Sequence, residues 1–371
     1  MSKPTEHRLA LILVGLFLTA CSPSASAQVP KPGQGSSREQ LQRVTPKPAP
    51  RTTVPLPVFE FHSGFWLNLH HVLYEQARLR EQRPIVRADA ARKLAPVPSV
   101  RAAELTPAEA AGWNAALDYY ATNLASRDLQ FDGDLVNIKN RLAELENCDD
   151  LSGRSAPQCV SGLRAEQIAA LERAAPVYRA RWWKAHDAQN RAWIATVTPL
   201  VETSGTPLAT QLSLLFHVDW PARLRVDMSV YAGPLGGYTN VDPFFVTISS
   251  ADERNRDAGA LQVLFHEAAH ALGGNVREAI AREFRARSRP IPRELWSALL
   301  CYTTAELARR TAPSGKNYLP LPVADALAAR GWRSYRSVLE RHWQLYIEAF
   351  LRGNADPDEI NQAIARIAAT L

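Results

Sequence analysis

The chain has 371 residues, of which 46% are hydrophobic and 22% are charged, and its formal net charge is +6. With this length and composition the chain can bury a substantial core. The net charge is mild, and the sequence contains no nucleic-acid-binding motif, so a nucleic-acid partner is not expected.

The N-terminus has the pattern of an export signal. Lys3 and Arg8 precede the apolar run Leu9–Leu18, which is too short to remain in a bilayer as a permanent helix. The run ends in Leu-Thr-Ala-Cys at Cys21, which resembles a bacterial lipobox. Residues 1–21 are therefore predicted to be a signal peptide, and a lipidated Cys21 would anchor a periplasmic lipoprotein, most simply in the outer membrane. Cleavage after Ala27 is the alternative, and it would release a soluble exported protein.

Residues 22–57 are rich in proline, serine and glutamine, which predicts a flexible tether. Residues 58–371 are predicted to form one α-rich body. Its part 58–205 would be helical, and its part 206–371 would carry a sheet and the candidate site. The sequence leaves the oligomeric state open.

Helical patterns fill the first part of this body. A helix is predicted from Phe61 to about Arg80, and a capping box at Thr106-Pro107-Ala108-Glu109 predicts another to about Ser126. Further helices are predicted near 134–147, 162–174 and 177–203.

Two cysteines flank a polar loop between these helices. In an oxidising periplasm, Cys148 and Cys159 are expected to form a disulfide across it. Cys301 has a helical, apolar setting and is expected to be a buried free thiol.

The sequence period then changes from helix to strand. Leu224–Tyr231 alternates at period two, residues 233–237 are typical of a turn, and Phe244–Ser249 reads as a second strand. The predicted fold class is therefore mainly α with a small β-hairpin or sheet, an α+β arrangement.

The segment His266-Glu267-Ala268-Ala269-His270 is the strongest functional signal. Its surroundings favour a helix, and residues four apart lie on one helical face. Both imidazoles can therefore bind one Zn²⁺ ion, while Glu267 reaches a water molecule next to the metal. The competing interpretation is a pair of core histidines.

This segment resembles the active-site helix of zincin metallopeptidases. The metzincin subgroup is disfavoured because Val276 stands where its third histidine would be. In the gluzincin subgroup a glutamate from a following helix is the third ligand. Glu306 is preferred for that role because it ends an apolar helical run, and Glu294 and Glu283 are the alternatives.

The resemblance implies a zinc-dependent hydrolase, most simply a peptidase of the bacterial envelope that acts on peptides or proteins. Glu267 would be the general base on a metal-activated water. His342, Tyr302 and Tyr318 are candidates for oxyanion or substrate binding. The strand 244–249 would bind an extended peptide. The alternative function is a non-catalytic zinc-binding or interaction lipoprotein.

Overall fold

In a computed structural model of the protein, helices cover both faces of one four-stranded sheet. The structure describes residues 58–81, 105–311, 322–353 and 358–371. The predicted signal peptide, Cys21, the tether 22–57 and Tyr318 lie outside the described residues. Mainly helical structure with a small sheet is the predicted fold class, which is confirmed.

The strands are β1 (Val58–His62), β2 (Arg223–Ser229), β3 (Gly237–Val241) and β4 (Phe244–Ser249). The helices are α1 (Phe65–Arg80), α2 (Pro107–Asn123), α3 (Gly133–Glu144), α4 (Ala165–Tyr178), α5 (Lys184–Phe216), α6 (Ala258–Ala268), α7 (Gly274–Ala286), α8 (Leu295–Thr311), α9 (Val323–Ala329), α10 (Arg336–Val338), α11 (Gln344–Leu351) and α12 (Glu359–Thr370). Five-residue π-helical segments connect α4 to α5 and α10 to α11.

The strand order in the sheet is β1-β2-β4-β3. β1, β2 and β4 are parallel, and β3 runs antiparallel to β4. Two of these strands differ from the sequence expectation. β1 occupies the start of the segment predicted to be helical from Phe61, and β3 begins at Gly237, where the predicted turn ends.

The two faces of the central strands have opposite chemistry. Val226, Met228, Val246 and Ile248 belong to the apolar core formed with α5, α6 and the helices after them. On the other face, the polar side chains of β2 and β4 include Asp227, Ser229 and Thr247, all of them buried.

Helix α1 provides polar partners for that second face. His71 hydrogen-bonds to Ser229 Oγ at 3.0 Å and to the Tyr238 hydroxyl at 2.9 Å. The Asn68 amide donates to the Met228 carbonyl at 2.9 Å. These bonds explain why alternate residues of β2 are polar although the strand is buried on both sides.

The helical half follows the sequence closely. Thr106 and Glu109 form the predicted capping box, and the helix that it opens ends at Asn123. α5 continues past Pro199 and Pro207 to Phe216, so the proposed division at residue 205 falls inside a continuous helix.

The described residues belong to one compact unit, Thr52–Leu371. No described helix has both the length and the apolar character needed to cross a membrane.

The polar loop after α3 is closed by a disulfide between Cys148 and Cys159, the pair that the sequence predicted. Their Cα atoms are 5.6 Å apart. Cys301 is a free, buried cysteine, also as expected.

Replacing both Cys148 and Cys159 with serine is expected to lower the free energy of unfolding by about 2–3 kcal/mol, because the unfolded chain loses a short covalent loop. Urea denaturation monitored by circular dichroism measures this loss. The matched control is the unmodified protein with the disulfide reduced, which should lose a similar amount. Equal stability of oxidised and reduced protein would contradict the prediction.

Lys139 on α3 is fully buried against β3, with its ammonium 3.9 Å from the centre of the Tyr238 ring. It donates to the Leu129 carbonyl at 2.5 Å. Burial lowers the pKa of Lys139 from 10.5 to about 7, and the charge of Asp128 opposes that shift only in part. Between pH 7 and pH 10.5 the Lys139 side chain is therefore protonated in the unfolded chain and mostly neutral in the folded protein.

This difference makes stability rise with pH in that window. From pH 7 to pH 9, wild-type protein should gain about 2 kcal/mol in free energy of unfolding relative to Lys139→Met. Urea denaturation at both pH values measures it, with the exposed Lys184→Met as control. If the wild type and Lys139→Met change in parallel, Lys139 keeps an ordinary pKa.

Candidate metal centre

The three residues of the sequence motif meet at the end of α6. His266 and Glu267 lie in the last turn of this helix, and His270 lies in the 3₁₀ turn Ala269–Leu272 that follows it. The imidazole centroids are 5.0 Å apart. One ligand atom from each of the three side chains lies within 4.8 Å of the others. The helical spacing therefore does bring both histidines to one point.

The Glu267 carboxylate lies between the two rings and is held from both sides. Its Oε1 is 3.8 Å from His266 Nε2, and its Oε2 is 3.9 Å from His270 Nε2. Thr239 of β3 donates to Oε2 at 2.9 Å, and the Arg330 guanidinium, directly after α9, lies 3.1 Å from Oε1. Strand β3 and the residue after α9 thus fix the carboxylate beside the histidines.

The two imidazoles have lone pairs that the protein does not use. Among the described residues, neither ring nitrogen of His266 and not Nε2 of His270 has a hydrogen-bond partner, although all three atoms are buried. Burial lowers the pKa of His266 well below its ordinary value, and the positive charge of Arg330 lowers it further. Burial likewise lowers the pKa of His270 to about 4. Both rings are therefore neutral at neutral pH, which is the protonation state that metal binding requires.

Two tryptophans flank the histidines. The Trp332 ring is 6.0 Å from His266, and the Trp296 ring is 5.0 Å from His270. The indole N–H of Trp332 donates to Glu294 Oε2 at 2.6 Å. The structure therefore places Glu294, the alternative third ligand, on the far side of a tryptophan rather than in the cluster.

Glu306, the preferred third ligand, is not brought to the histidines. Arg309 donates to its Oε1 at 2.9 Å, and Arg310 donates to the same atom at 2.5 Å. Glu306 ends an apolar run, as the sequence indicated, but these two arginines on its own helix provide the partners that its carboxylate needs. Glu283 pairs with Arg287 on the surface of α7. In the described part of the chain, Glu267 is the only acidic residue grouped with the two histidines.

The candidate oxyanion residues lie elsewhere. The Tyr302 hydroxyl donates to Gln344 Oε1 at 2.9 Å. His342 hydrogen-bonds to the Thr370 hydroxyl at an exposed position. Neither residue contacts the three-residue cluster, because each one faces the C-terminal helices.

The histidines of the N-terminal segment are also accounted for. His62 pairs with Glu146, and His70 hydrogen-bonds to the Tyr120 hydroxyl. His71 lies between Ser229 and Tyr238, as described above. His62 ends strand β1, and His70 and His71 lie on α1 across the sheet from α6, so none of the three belongs to the group formed by His266, Glu267 and His270.

Arg330, Thr239 and the two tryptophans are the residues that sequence reasoning missed. Arg330 is 63 residues from Glu267, and Thr239 is 28 residues from it. Only the strand order and the return of the chain after α9 bring them together. A threonine in an edge strand and an arginine at a helix end carry no local signal of such a role.

Comparisons of the chain with protein-family models, with curated proteins and with solved structures found no match.

Replacing Glu306 with glutamine should leave zinc content unchanged, because its carboxylate is bound by Arg309 and Arg310 rather than directed at the histidines. His270→Ala should lower zinc occupancy strongly, because it removes one of the two candidate imidazole ligands. Atomic emission analysis of the purified variants measures both. Loss of zinc from a folded Glu306→Gln protein would restore Glu306 as a ligand.

Proposed function

We propose that the protein is a zinc-dependent hydrolase, most simply a peptidase, with His266 and His270 as metal ligands and Glu267 as general base. The observation that carries this proposal is the convergence of two buried imidazoles and one carboxylate whose ligand atoms lie within 4.8 Å. The resemblance to zincins then supplies the reaction class, and the chemistry below rests on the side chains themselves.

The donor set fits zinc. Two neutral imidazoles are nitrogen ligands of the kind zinc prefers, and with Glu267 as the base they are the two protein ligands that the described residues supply. Buried ring nitrogens without a hydrogen-bond partner are uncommon, and a metal ion would satisfy them. When bound, zinc supplies Lewis-acid activation of a carbonyl group and of water.

Glu267 is placed to transfer a proton. Its carboxylate stands beside the nitrogen atoms of both histidines, and Thr239 holds one of its oxygens at 2.9 Å. A carboxylate fixed in this way can accept a proton from the attacking water and return it to the leaving amine. Thr239 acts through Glu267 and is therefore a positioning residue.

A peptide substrate would add to strand β3 rather than to 244–249. The predicted strand, β4, is paired with β2 on one side and with β3 on the other, so the earlier assignment is wrong. β3 is one of the two edge strands of the described sheet, and its Thr239 contacts Glu267. The Ser249 N–H donates to the Gly236 carbonyl, so these two residues form a hydrogen-bonded pair of the antiparallel ladder between β3 and β4. Hydrogen-bonded and non-hydrogen-bonded pairs alternate along such a ladder, so the backbone N–H and C=O groups of Thr239 and Val241 point away from β4. An extended peptide paired there would pass beside the carboxylate.

The proposal includes export. The Cys148–Cys159 disulfide supports an oxidising compartment. The lipobox-like sequence ending at Cys21 supports a lipid-anchored periplasmic protein, and the cleavage site after Ala27 supports a soluble one. Peptides or proteins of the envelope would then be the accessible substrates.

A non-catalytic zinc protein is the second candidate function. The burial of Glu267 favours it, because the side chain is only 2% exposed and both of its oxygens are engaged by protein groups. In such a protein Glu267 would complete a structural site together with the two histidines.

Glu267→Gln separates these two functions. For a hydrolase, the full-length variant should keep its zinc and lose about 100-fold or more of its peptide cleavage rate, because the amide cannot accept the proton. Zinc is measured by atomic emission, and cleavage of a defined oligopeptide mixture by mass spectrometry. The exposed Glu278→Gln on α7 is the matched control and should behave like the wild type.

Two outcomes would contradict the hydrolase. One is full cleavage activity in Glu267→Gln. The other is a zinc-loaded wild-type protein that cleaves none of the peptides, which is the result expected for a non-catalytic zinc protein.

A further inference from the structure

A small cavity opens beside His266, on the side of the centre that faces α8 and α9. Its wall includes Leu235, Val263 and Cys301, which are apolar or weakly polar, together with Gln262, Arg254 and Arg330. Burial raises the pKa of the Cys301 thiol to about 11, so this wall carries no negative charge from Cys301. The cavity therefore combines a short apolar surface with two guanidinium groups next to a metal ligand.

Arg330 has more hydrogen-bond donors than its protein partners use. Its side chain is only 11% exposed, and its Nη1 bonds to Glu267 Oε1 at 3.1 Å. A guanidinium carries five N–H donors. In the described part of the chain, Glu267 is its one hydrogen-bonding partner, and the guanidinium also lies 5.9 Å from the centre of the Trp332 ring. A largely buried arginine with unused donors next to a cavity is suited to bind an acceptor that enters it.

The charges of the centre favour an anionic acceptor. Glu267 and Arg330 carry opposite charges and lie 3.1 Å apart. The charge of Arg254 is offset by Asp252, whose Oδ2 lies 2.5 Å from Arg254 Nη2. A divalent cation bound by the histidines would leave the whole group positive, and a carboxylate in the cavity would offset that charge. Arginine binds carboxylates through two parallel hydrogen bonds, which a neutral amide cannot reproduce.

We propose that Arg330 is the anchor for a carboxylate of the substrate, bound in the cavity beside His266. This inference rests on the proposed hydrolase function and deepens it, because it names the chemical class of substrate. The carboxylate can be the C-terminus of a peptide cut near its end, or an acidic side chain next to the scissile bond. The two sources share one binding chemistry.

The anchor also acts on the general base. While Arg330 donates to Oε1 of Glu267, it occupies an oxygen that would otherwise accept a proton. A substrate carboxylate bound to the unused donors shares the positive charge of the same guanidinium, which would weaken its bond to that oxygen. Binding of the correct substrate would thereby release Glu267, so that recognition and activation depend on the same ion pair.

The test measures binding without turnover. The probes are N-acetyl-alanine, which has a terminal carboxylate, N-acetyl-aspartic acid α-amide, which has a side-chain carboxylate, and N-acetyl-alaninamide, which has none. Isothermal titration calorimetry with the full-length protein, zinc-loaded and metal-free, gives each dissociation constant. At least one of the two carboxylate probes should bind more tightly than the neutral amide, and the one that does identifies the source of the carboxylate.

Arg330→Gln should weaken binding of that probe by about 10- to 100-fold, because it removes a charge-assisted hydrogen bond. It should leave binding of N-acetyl-alaninamide unchanged. The affinity of Arg330→Lys for the carboxylate probe should lie between those of the wild type and Arg330→Gln, since lysine keeps the charge and loses the planar pair of donors. Arg333→Gln, an exposed arginine three residues later, is the matched control and should bind like the wild type.

Glu267→Gln gives an independent check, because it removes the carboxylate that competes for Arg330. Its affinity for the carboxylate probe should rise several-fold, while its turnover falls. The inference is overturned if neither carboxylate probe binds more tightly than the amide, or if folded Arg330→Gln and Arg330→Lys both bind like the wild type. Loss of the proposed function is seen separately, as absence of zinc or of peptide cleavage, so the two failures can be told apart.

Discussion

The arrangement of side chains around the candidate centre depends on the groups that offset the negative charge of one buried carboxylate, Glu267. Glu267 is the acidic residue of an otherwise apolar helix, and an unpaired charge at that depth would be strongly unfavourable. Arg330 supplies the opposite charge, and Thr239 supplies a neutral donor. Because one partner comes from strand β3 and the other from the residue after α9, this requirement ties two distant parts of the chain to the end of α6.

The sheet separates this centre from a second polar system. On the α6 side, β2 and β4 present Val226, Met228, Val246 and Ile248 to the apolar core that α6 also enters. On the α1 side both ring nitrogens of His71 are hydrogen-bonded, whereas His70 bonds to Tyr120 and leaves its Nε2 without a partner. Among the described residues His266 has no hydrogen-bond partner at either ring nitrogen, which marks it as a candidate ligand more strongly than the α1 histidines.

Local signals in the sequence predicted the local features correctly. The capping box at Thr106, the strand Phe244–Ser249 and the pairing of Cys148 with Cys159 all involve residues close in sequence, and so does the convergence of His266 and His270. The failures concern partners that are distant in sequence. Glu306 is a buried carboxylate that needs a partner, but two arginines on its own helix fill that need, and no local pattern distinguishes them from a metal ion. β1 and β3 are five residues each and have no clear alternation, so only pairing with β2 and β4 defines them.

In the proposed hydrolase, the same ion pair would link metal binding to substrate binding. In the metal-free protein Arg330 is the main compensation for the Glu267 charge, so taking it away from the carboxylate is costly. A divalent cation bound by the neighbouring histidines would offset part of the Glu267 charge and thereby weaken the ion pair between Glu267 and Arg330. The guanidinium then becomes more available to an incoming carboxylate, and by thermodynamic reciprocity a bound carboxylate favours the metal to the same extent. Such coupling needs no movement of the sheet or of α6, because it operates through the exchange of one partner of one arginine.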